Sequence, residues 1–270
     1  MPPSTPPHSN GSAEETVTPA AVVDRLVESL CTRIHPGRLL VSSDFDGTLA
    51  PIVARPGGAA AQPGSLAALE RLVQLGVMVA VISGRSGETL RRVVPVDGVE
   101  LLGDYGLEEA TPEELLALHE FNERVLELFV DVDGIVVEPK PGSTSVHYRD
   151  NPEAGPQVYD ALAPLAAGLG LRAGRGRMVV EVRPFGADKG LALGRLIERH
   201  RPEAVAFAGD DEGDRSAFAV AARSGLRHLT VGVISPEAPP GLFSECDAVI
   251  SGPGEWTRIL TRIAARLGGG

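Results

Sequence analysis

The feature that most constrains the fold of this chain is a set of apolar segments that do not alternate with polar residues. VMVAVI at 77–82 and AVAFAG at 204–209 contain only apolar residues and glycine. A strand that is buried on both faces has this composition, and such strands occur in parallel sheets. A turn and a helical pattern follow each strand, so the sequence predicts an α/β fold with ligands beyond the carboxyl ends of the strands.

The middle of the chain departs from this order. A capping-box sequence that begins at Thr111 predicts a helix extending to about residue 130. The segments 134–139 and 144–149 predict a hairpin, and a helix over 153–167 precedes a second hairpin with its turn at Arg175-Gly176. The predicted domains are a disordered tail at 1–17, a core at 18–107 and 183–270, and an inserted α+β cap at 108–182.

The sequence DFDGT at 44–48 follows a short strand-forming run at 38–45. It places Asp44 and Asp46 at the carboxyl end of that strand, where one carboxylate can attack while the other moves a proton. A solvated Asp-Gly turn is the alternative, and the apolar strand before it argues against that. An EF-hand would need a third acid before the glycine and a distal glutamate. The similar DVDG at 131–134 follows an amphipathic helix and predicts a simple turn.

Two further motifs offer groups that suit a phosphate. SGR at 83–85 supplies the Ser83 hydroxyl and backbone amides directly after a strand. A helix N-cap formed by Ser83 or Ser86 is an equally good interpretation. DKG at 188–190 opens a helix, where Lys189 could hold a phosphoryl oxygen or remain a solvated charge.

A group of acids follows the strand AVAFAG, within the segment FAGDDEGD at 207–214. Its members are Asp210, Asp211 and Asp214. Clustered acids repel one another unless a cation lies among them, and Mg²⁺ prefers such oxygen ligands. A solvated first helical turn, favoured by the helix dipole, is the alternative.

The order of these motifs resembles that of the haloacid dehalogenase superfamily. Two acids follow the first strand, a serine follows the second, and then come a lysine and an acid cluster. The resemblance covers about 38–107 and 183–250, and the insertion matches the large cap type of that superfamily. The stretches DFDGTLAPI, GDYGLE, VEPKPGSTSVHYR, GRMVVEVRP and GDDEGDRSAF are similar to those of the trehalose-6-phosphate phosphatase family.

The resemblance implies a haloacid-dehalogenase-like Rossmannoid core with a parallel sheet, plus an inserted α+β cap. It also implies Mg²⁺-dependent hydrolysis of trehalose 6-phosphate through an aspartyl-phosphate. The implied catalytic residues are Asp44, Asp46, Ser83 and Lys189. The implied metal ligands are Asp44, Asp46, Asp210, Asp211 and Asp214. The implied substrate-binding residues are Gly84, Arg85, Glu138, Lys140, Arg149, Arg177 and Glu181. Ion pairing across a hairpin face is the alternative for the cap residues.

Three residues depart from the pattern of the family. Gly213 and Arg215 stand where the family usually has Thr and Glu, and Arg177 stands where it usually has Lys. An arginine beside the metal site could weaken metal binding or change its hydrogen bonds. The departures leave three alternatives open: a phosphatase of another disaccharide or pseudodisaccharide phosphate, a catalytically silent sugar-phosphate sensor, and a phosphomutase.

Composition narrows the partners. The formal net charge is -11, from 25 basic and 36 acidic residues, whereas nucleic-acid binders normally carry a basic surplus. No apolar run approaches the roughly 20 residues that span a bilayer, and the first residues lack the pattern of a signal peptide. Cys31 and Cys246 lie far apart, which argues against zinc and a disulfide framework. We expect a cytoplasmic monomer that binds a small phosphorylated sugar, and neither nucleic acid nor membrane.

Overall fold

Two β-sheets organise the chain. The computed structural model describes residues 16–53, 58–109, 111–140, 142–176, 178–236 and 238–269. The predicted tail at 1–17 lies outside the described residues except for its last two. The strands are β1 (Leu39–Ser43), β2 (Met78–Ile82), β3 (Val99–Leu102), β4 (Val136–Pro139), β5 (Thr144–His147), β6 (Leu171–Gly176), β7 (Val179–Pro184), β8 (Ala204–Gly209), β9 (Arg227–Val233) and β10 (Ala248–Ile250).

Eight α-helices accompany these strands in the described part of the chain. They are α1 (Ala20–Cys31), α2 (Ser65–Gln74), α3 (Gly87–Val93), α4 (Pro112–Leu128), α5 (Gly155–Gly168), α6 (Lys189–His200), α7 (Arg215–Arg223) and α8 (Pro253–Gly268). Among the described helices, none is both long enough and apolar enough to cross a lipid bilayer.

The larger sheet has six strands in the order β10-β9-β8-β1-β2-β3, and every neighbouring pair is parallel. Leu39 and Val41 of β1 pack with α1, α2 and α8 on one face, whereas Leu40 packs with α6 and α7 on the other. Burial on both faces explains why these strands are continuously apolar in sequence. The structure therefore confirms the α/β prediction and places β1 between β8 and β2.

The smaller sheet has four antiparallel strands in the order β4-β5-β7-β6. Helices α4 and α5 cover one of its faces, where Phe121, Leu162 and Val180 are fully buried. On the other face the strand register aligns one residue from each of the four strands, in the row Glu138, Ser145, Glu181 and Gly174. This α+β unit stands between β3 and α6 in the chain, as the sequence predicts.

The sequence predicts a local hydrogen-bonding pattern correctly where both partners lie close together in the chain. The capping box forms as predicted, because Glu114 N donates to the Thr111 side chain and Glu114 accepts from the Thr111 backbone. The second hairpin differs from the prediction, since β6 continues through Gly176 and β7 begins at Val179. The sequence Thr18-Pro19 favours a helix N-cap at Thr18, but Thr18 does not cap α1. It pairs instead with Val249 of β10, through Thr18 N to Val249 O at 2.8 Å and Val249 N to Thr18 Oγ1 at 2.9 Å.

Candidate active site

The carboxyl ends of β1, β2 and β8 lie side by side at one edge of the larger sheet. Asp44 follows β1, Ser83 follows β2 and Asp210 follows β8. Asp44 N donates to Ala208 O at 2.9 Å, so the first residue beyond β1 is still tied to the neighbouring strand. The strand order changes direction between β1 and β8, and open α/β sheets form their ligand-binding crevice at such a point.

Three buried carboxylates meet at this edge. Asp44, Asp210 and Asp214 each present an oxygen within 4.8 Å of the others, and each residue is at most 3% exposed. Lys189, at the start of α6, lies among them. Its Nζ is 2.8 Å from Asp214 Oδ1 and 3.0 Å from Asp44 Oδ1. Asp214 also accepts from the Asp210 backbone amide at 2.9 Å, which fixes the loop after β8.

The electrostatics of this cluster favour an additional positive charge. Burial, reinforced by the neighbouring carboxylates, raises the pKa of Asp44 and of Asp214 well above the ordinary value and raises that of Asp210 to about 8. Burial lowers the pKa of Lys189, but the surrounding aspartates outweigh it and hold the pKa well above the usual range. Asp210 Oδ2 is buried and lacks a hydrogen-bond partner among the described residues. An oxygen-lined, negatively charged cluster with an unpartnered buried oxygen fits a divalent cation such as Mg²⁺.

Gly47 explains how the loop after β1 approaches the cluster. Its φ is +73°, and a Cβ built there would lie 2.0 Å from Asp210 Oδ2. The next residue, Thr48, donates from Oγ1 to Asp210 Oδ1 at 3.3 Å. The glycine therefore serves both the turn and the close packing of the loop against the acid.

Asp46 and Arg85 form a bidentate ion pair beside the cluster. Arg85 Nε and Nη2 donate to the two carboxylate oxygens of Asp46, each at 2.6 Å. The backbone amide of Arg85 also donates to Ser83 Oγ at 3.2 Å, and Ser86 caps α3. The structure thus brings Asp44, Asp46 and the SGR segment to one edge of the sheet, with the helix cap on Ser86 and not on Ser83.

A cavity of about 740 Å³ lies between the open face of the smaller sheet and the segment that follows β8, from Asp211 into α7. Lys140, Arg149, Glu181 and Asp211 all line it, so predicted residues from cap and core face the same space. Its volume is within the usual range for small-molecule sites. Asp211 has a side chain that is 40% exposed and lies 3.7 Å from Lys189 Nζ, outside the cluster of three acids.

Glu138 and Arg177 are the remaining cap residues that the sequence predicts for the site. Glu138 lies on β4, where its Oε2 is 2.9 Å from His147 Nε2 and 3.8 Å from Lys140 Nζ. The cross-strand pairing that was the alternative for this face is therefore present. Arg177 lies outside the described residues.

Arg215 does not point its charge at the acids. Its Nε and Nη2 donate to the carboxylate of Glu212 at 2.6 and 3.0 Å, and its side chain is 55% exposed. The family departure at this position is thus accommodated by a local pair with its own acid. The hydrogen bond to Glu212 favours the charged form of Arg215 and therefore raises its pKa.

Two neighbours of the site were not predicted from the sequence. Trp256 donates from Nε1 to Ser43 Oγ at 3.0 Å, and Ser43 donates to the Asp44 carbonyl at 2.7 Å. Tyr105 donates to Glu181 Oε2 at 2.6 Å. The GDYGLE stretch that carries Tyr105 resembles the family, but nothing in it indicates a contact with β7.

A parallel sheet with acids at its carboxyl edge and an inserted antiparallel cap sheet defines a haloacid-dehalogenase-like hydrolase fold. A family model described as Trehalose-phosphatase matches residues 42–237, and the chain belongs to that family. In structure, the chain is similar to the C-terminal domain of the trehalose-6-phosphate phosphatase of C. albicans. The TM-score is 0.71 at 20% identity, over 93% of this chain and 99% of that one, a likeness that shows the fold.

Two curated relatives are longer than this chain. An uncharacterized glycosyl hydrolase of Mycobacterium tuberculosis is 34% identical over 246 residues, covering 84% of this chain and 18% of that protein. A trehalose-phosphate phosphatase of Mycobacterium avium is 35% identical over 204 residues, covering 68% of this chain and 51% of that protein. The chain therefore spans about a fifth of the first relative and about half of the second.

Proposed function

We propose that this chain is a Mg²⁺-dependent phosphatase that hydrolyses trehalose 6-phosphate to trehalose and phosphate. The observation that carries the proposal is the contact of Lys189 Nζ with Asp44 Oδ1 at 3.0 Å inside the buried cluster of Asp44, Asp210 and Asp214. A buried carboxylate beside a fixed cation, at the edge where ligands bind in such sheets, suits a nucleophile for a phosphorus centre.

In the proposed first step, Asp44 attacks phosphorus, the bond from phosphorus to the sugar oxygen breaks, and an aspartyl-phosphate forms. Asp46 gives its proton to the departing sugar oxygen. Water then attacks the aspartyl-phosphate, Asp46 takes back a proton from it, and Asp44 leaves as a carboxylate. Ser83 and Lys189 hold phosphoryl oxygens in both steps, so positioning and charge neutralisation supply most of the acceleration.

The metal has a place in this arrangement. Mg²⁺ held by Asp44, the Asp46 carbonyl, Asp210 and Asp214 would neutralise charge on the phosphoryl oxygens. Asp211, at the cavity wall, would stand behind these ligands and orient them.

The Arg85 pair adds a requirement to this mechanism. Both oxygens of Asp46 accept hydrogen bonds from Arg85 in the structure, at 2.6 Å each. Asp46 can deliver a proton only after the guanidinium gives up at least one of them. A phosphate entering beside Gly84 and Arg85 supplies alternative acceptors for that guanidinium, because arginine binds phosphate bidentately as well.

The cap is proposed to bind the sugar. Glu138, Lys140, Arg149, Arg177 and Glu181 are the residues assigned to this role. Carboxylates accept from sugar hydroxyls and cations donate to them. Closure of the cap over the sugar would control access of water to the aspartyl-phosphate. A phosphatase of another disaccharide or pseudodisaccharide phosphate is the alternative with the same mechanism, and a cytoplasmic monomer remains the prediction for location and assembly.

Phosphate release from trehalose 6-phosphate tests the reaction. The wild-type protein should turn over with Mg²⁺ and stop under EDTA, and Asp44→Asn should abolish turnover while its melting temperature stays near that of the wild type. Asp97→Asn, which alters an exposed aspartate, is the matched control and should keep full activity. Turnover retained by Asp44→Asn would contradict the nucleophile.

A panel of sugar phosphates tests the substrate. Trehalose 6-phosphate should give the highest kcat/KM, because the cavity has room for a disaccharide and the cap face offers several hydrogen-bonding groups. Preference for a monosaccharide phosphate would contradict the substrate assignment without contradicting the reaction. Preference for another disaccharide phosphate would select the alternative.

A further inference from the structure

The segment 103–106 connects the core to the cap in an unusual backbone conformation. Asp104 and Tyr105 have φ values of +49° and +61°, and Gly106 follows at +80°. Consecutive non-glycine residues in the left-handed region are uncommon and persist only where their surroundings determine them. Here Tyr105 N donates to Ser83 O at 2.8 Å and Asp104 N donates to Arg85 O at 2.7 Å. The segment is thus fixed by the backbone of the proposed phosphate loop.

The Tyr105 ring lies against that same loop. A Cβ built on Gly84 would lie 2.6 Å from both Cζ and the hydroxyl oxygen of Tyr105, so only glycine leaves room for the ring. The ring also contacts the cap, where the guanidinium of Arg183 lies 4.1 Å from the ring centroid. This distance is within the range of a cation–π contact. Tyr105 therefore touches the phosphate loop and the cap sheet together.

The Tyr105 hydroxyl makes its hydrogen bond to a residue assigned to the sugar. It donates to Glu181 Oε2 at 2.6 Å, and Arg183 Nη1 approaches the same oxygen at 3.8 Å. Burial and the Glu181 charge raise the pKa of Tyr105 well above its ordinary value, so the hydroxyl remains a donor. Both contacts are made to Oε2 of Glu181. With respect to the described residues, this leaves Oε1 of Glu181 for a substrate hydroxyl.

We propose that Tyr105 is a positioning residue for the sugar: it orients the Glu181 carboxylate across the cap boundary and keeps it in register with the phosphate loop at Gly84. This inference rests on the proposed function, because it assigns Glu181 to sugar binding. A carboxylate held at one oxygen by a neutral donor keeps its charge and directs its second oxygen, which suits selection of a hydroxyl at a fixed distance from the phosphate.

Tyr105→Phe tests the proposal, because it removes the hydroxyl and keeps the ring. The KM for trehalose 6-phosphate should rise about ten- to hundredfold, the usual effect of losing a hydrogen bond to a charged group, and kcat should stay within about twofold. The kcat/KM for p-nitrophenyl phosphate, which lacks sugar hydroxyls, should not change. A purely structural role would lower activity on both substrates alike.

Two further variants sharpen the result. Tyr159→Phe is the matched control, since Tyr159 also lies under an arginine, at 3.9 Å from Arg175, but on α5. It should leave both substrates unaffected. Glu181→Gln should weaken trehalose 6-phosphate hydrolysis, and adding Tyr105→Phe to it should cause no further loss, because both changes act through one carboxylate. Additive losses would overturn the proposal.

Binding separates this inference from the reaction it rests on. In the Asp44→Asn background, calorimetry should show that Tyr105→Phe weakens trehalose 6-phosphate binding about tenfold and leaves inorganic phosphate binding unchanged. Unchanged sugar-phosphate binding, in a protein whose wild type hydrolyses that substrate, would overturn the role of Tyr105 alone. A wild-type protein that neither binds nor hydrolyses any sugar phosphate would overturn the proposed function and the role of Tyr105 with it.

Discussion

Gly47 is the residue at which the backbone comes nearest to the acid cluster, and it provides a test of the geometry. A Cβ there would lie 2.0 Å from Asp210 Oδ2 in a backbone with φ +73°. Gly47→Ala should therefore displace Asp210 or the loop that carries Asp44 and Asp46. A shift of about 1 Å in catalytic groups lowers turnover on the order of a hundredfold, and we expect a loss of that size in kcat.

Steady-state kinetics with a melting curve checks this expectation. Gly168→Ala is the matched control, because a Cβ there meets nothing within 4 Å, and it should retain full turnover. Wild-type kcat in Gly47→Ala would show that the loop moves without disturbing the acids. A variant that simply fails to fold would be recognised from its melting curve.

Individual site residues could be predicted from the sequence where a single short segment contains all the residues of the motif. Asp44 and Asp46 could be predicted because an acid pair follows a strand, and the structure places both at the sheet edge. Trp256 could not, because its partner Ser43 lies 213 positions away and a tryptophan in an amphipathic helix usually packs. The Asp46–Arg85 pair was hidden for the same reason, since its members are 39 positions apart.

At the scale of elements, helix α6 holds Lys189 in place through its first residues. The Asp188 side chain accepts from Gly190 N at 2.8 Å and from Leu191 N at 3.1 Å, which satisfies two amides at the helix start. Asp188→Ala should lower the free energy of unfolding by about 1 kcal/mol, the usual effect of losing an N-cap. Asp188→Asn should change it by only a few tenths of that, because asparagine caps equally well.

Urea unfolding of the two variants measures the difference. The Asp188 carboxylate also lies 3.7 Å from Arg172 Nη1 on β6, beyond hydrogen-bond distance and with the arginine exposed, so this pair contributes little by itself. Equal losses in the alanine and asparagine variants would show that charge, and not capping, stabilises the start of α6. Such a result would transfer the role of Asp188 from the helix to its contact with the cap.

Most elements were predictable because their signals are local. The capping box before α4 and the buried strands of the larger sheet follow from spacing within a few residues. The second hairpin was predicted with its turn too early, because Arg175 and Gly176 look like a turn while the structure pairs them with Val180 and Val179. Thr18 looked like a helix cap, but a strand edge more than two hundred residues away takes its hydrogen bonds.

At the scale of the whole molecule, a net charge of -11 is reconciled with an anionic substrate by local charge. Acids are concentrated at the sheet edge, where Lys189 contacts Asp44 and Asp214 and Arg85 pairs with Asp46. The opposite wall of the cavity carries cations of the cap, including Lys140, Arg149 and Arg183. The order of motifs in the sequence predicted a core and a cap. It could not predict that the acids of the core and the cations of the cap face each other, because that depends on contacts between segments that are distant in the chain.

The excess of negative charge at the sheet edge predicts that Mg²⁺ stabilises the folded protein as a whole. Mg²⁺ that binds only the folded state raises the melting temperature by mass action, by about 5 °C when its concentration is about a hundred times Kd. Wild type should show this rise and lose it under EDTA. Asp210→Asn should show no rise, because it removes the acid whose Oδ2 is buried without a partner among the described residues.

The same variant tests whether the cluster costs stability without the cation. Three carboxylates within 4.8 Å are balanced by one lysine at hydrogen-bond distance, so neutralising Asp210 should leave the metal-free protein at least as stable as wild type. Asp97→Asn, at an exposed position, should keep both the wild-type melting temperature and its response to Mg²⁺. A full Mg²⁺ response in Asp210→Asn would move the metal away from this cluster. A metal-free Asp210→Asn protein that melts well below wild type would instead show that the acid is satisfied by the protein alone.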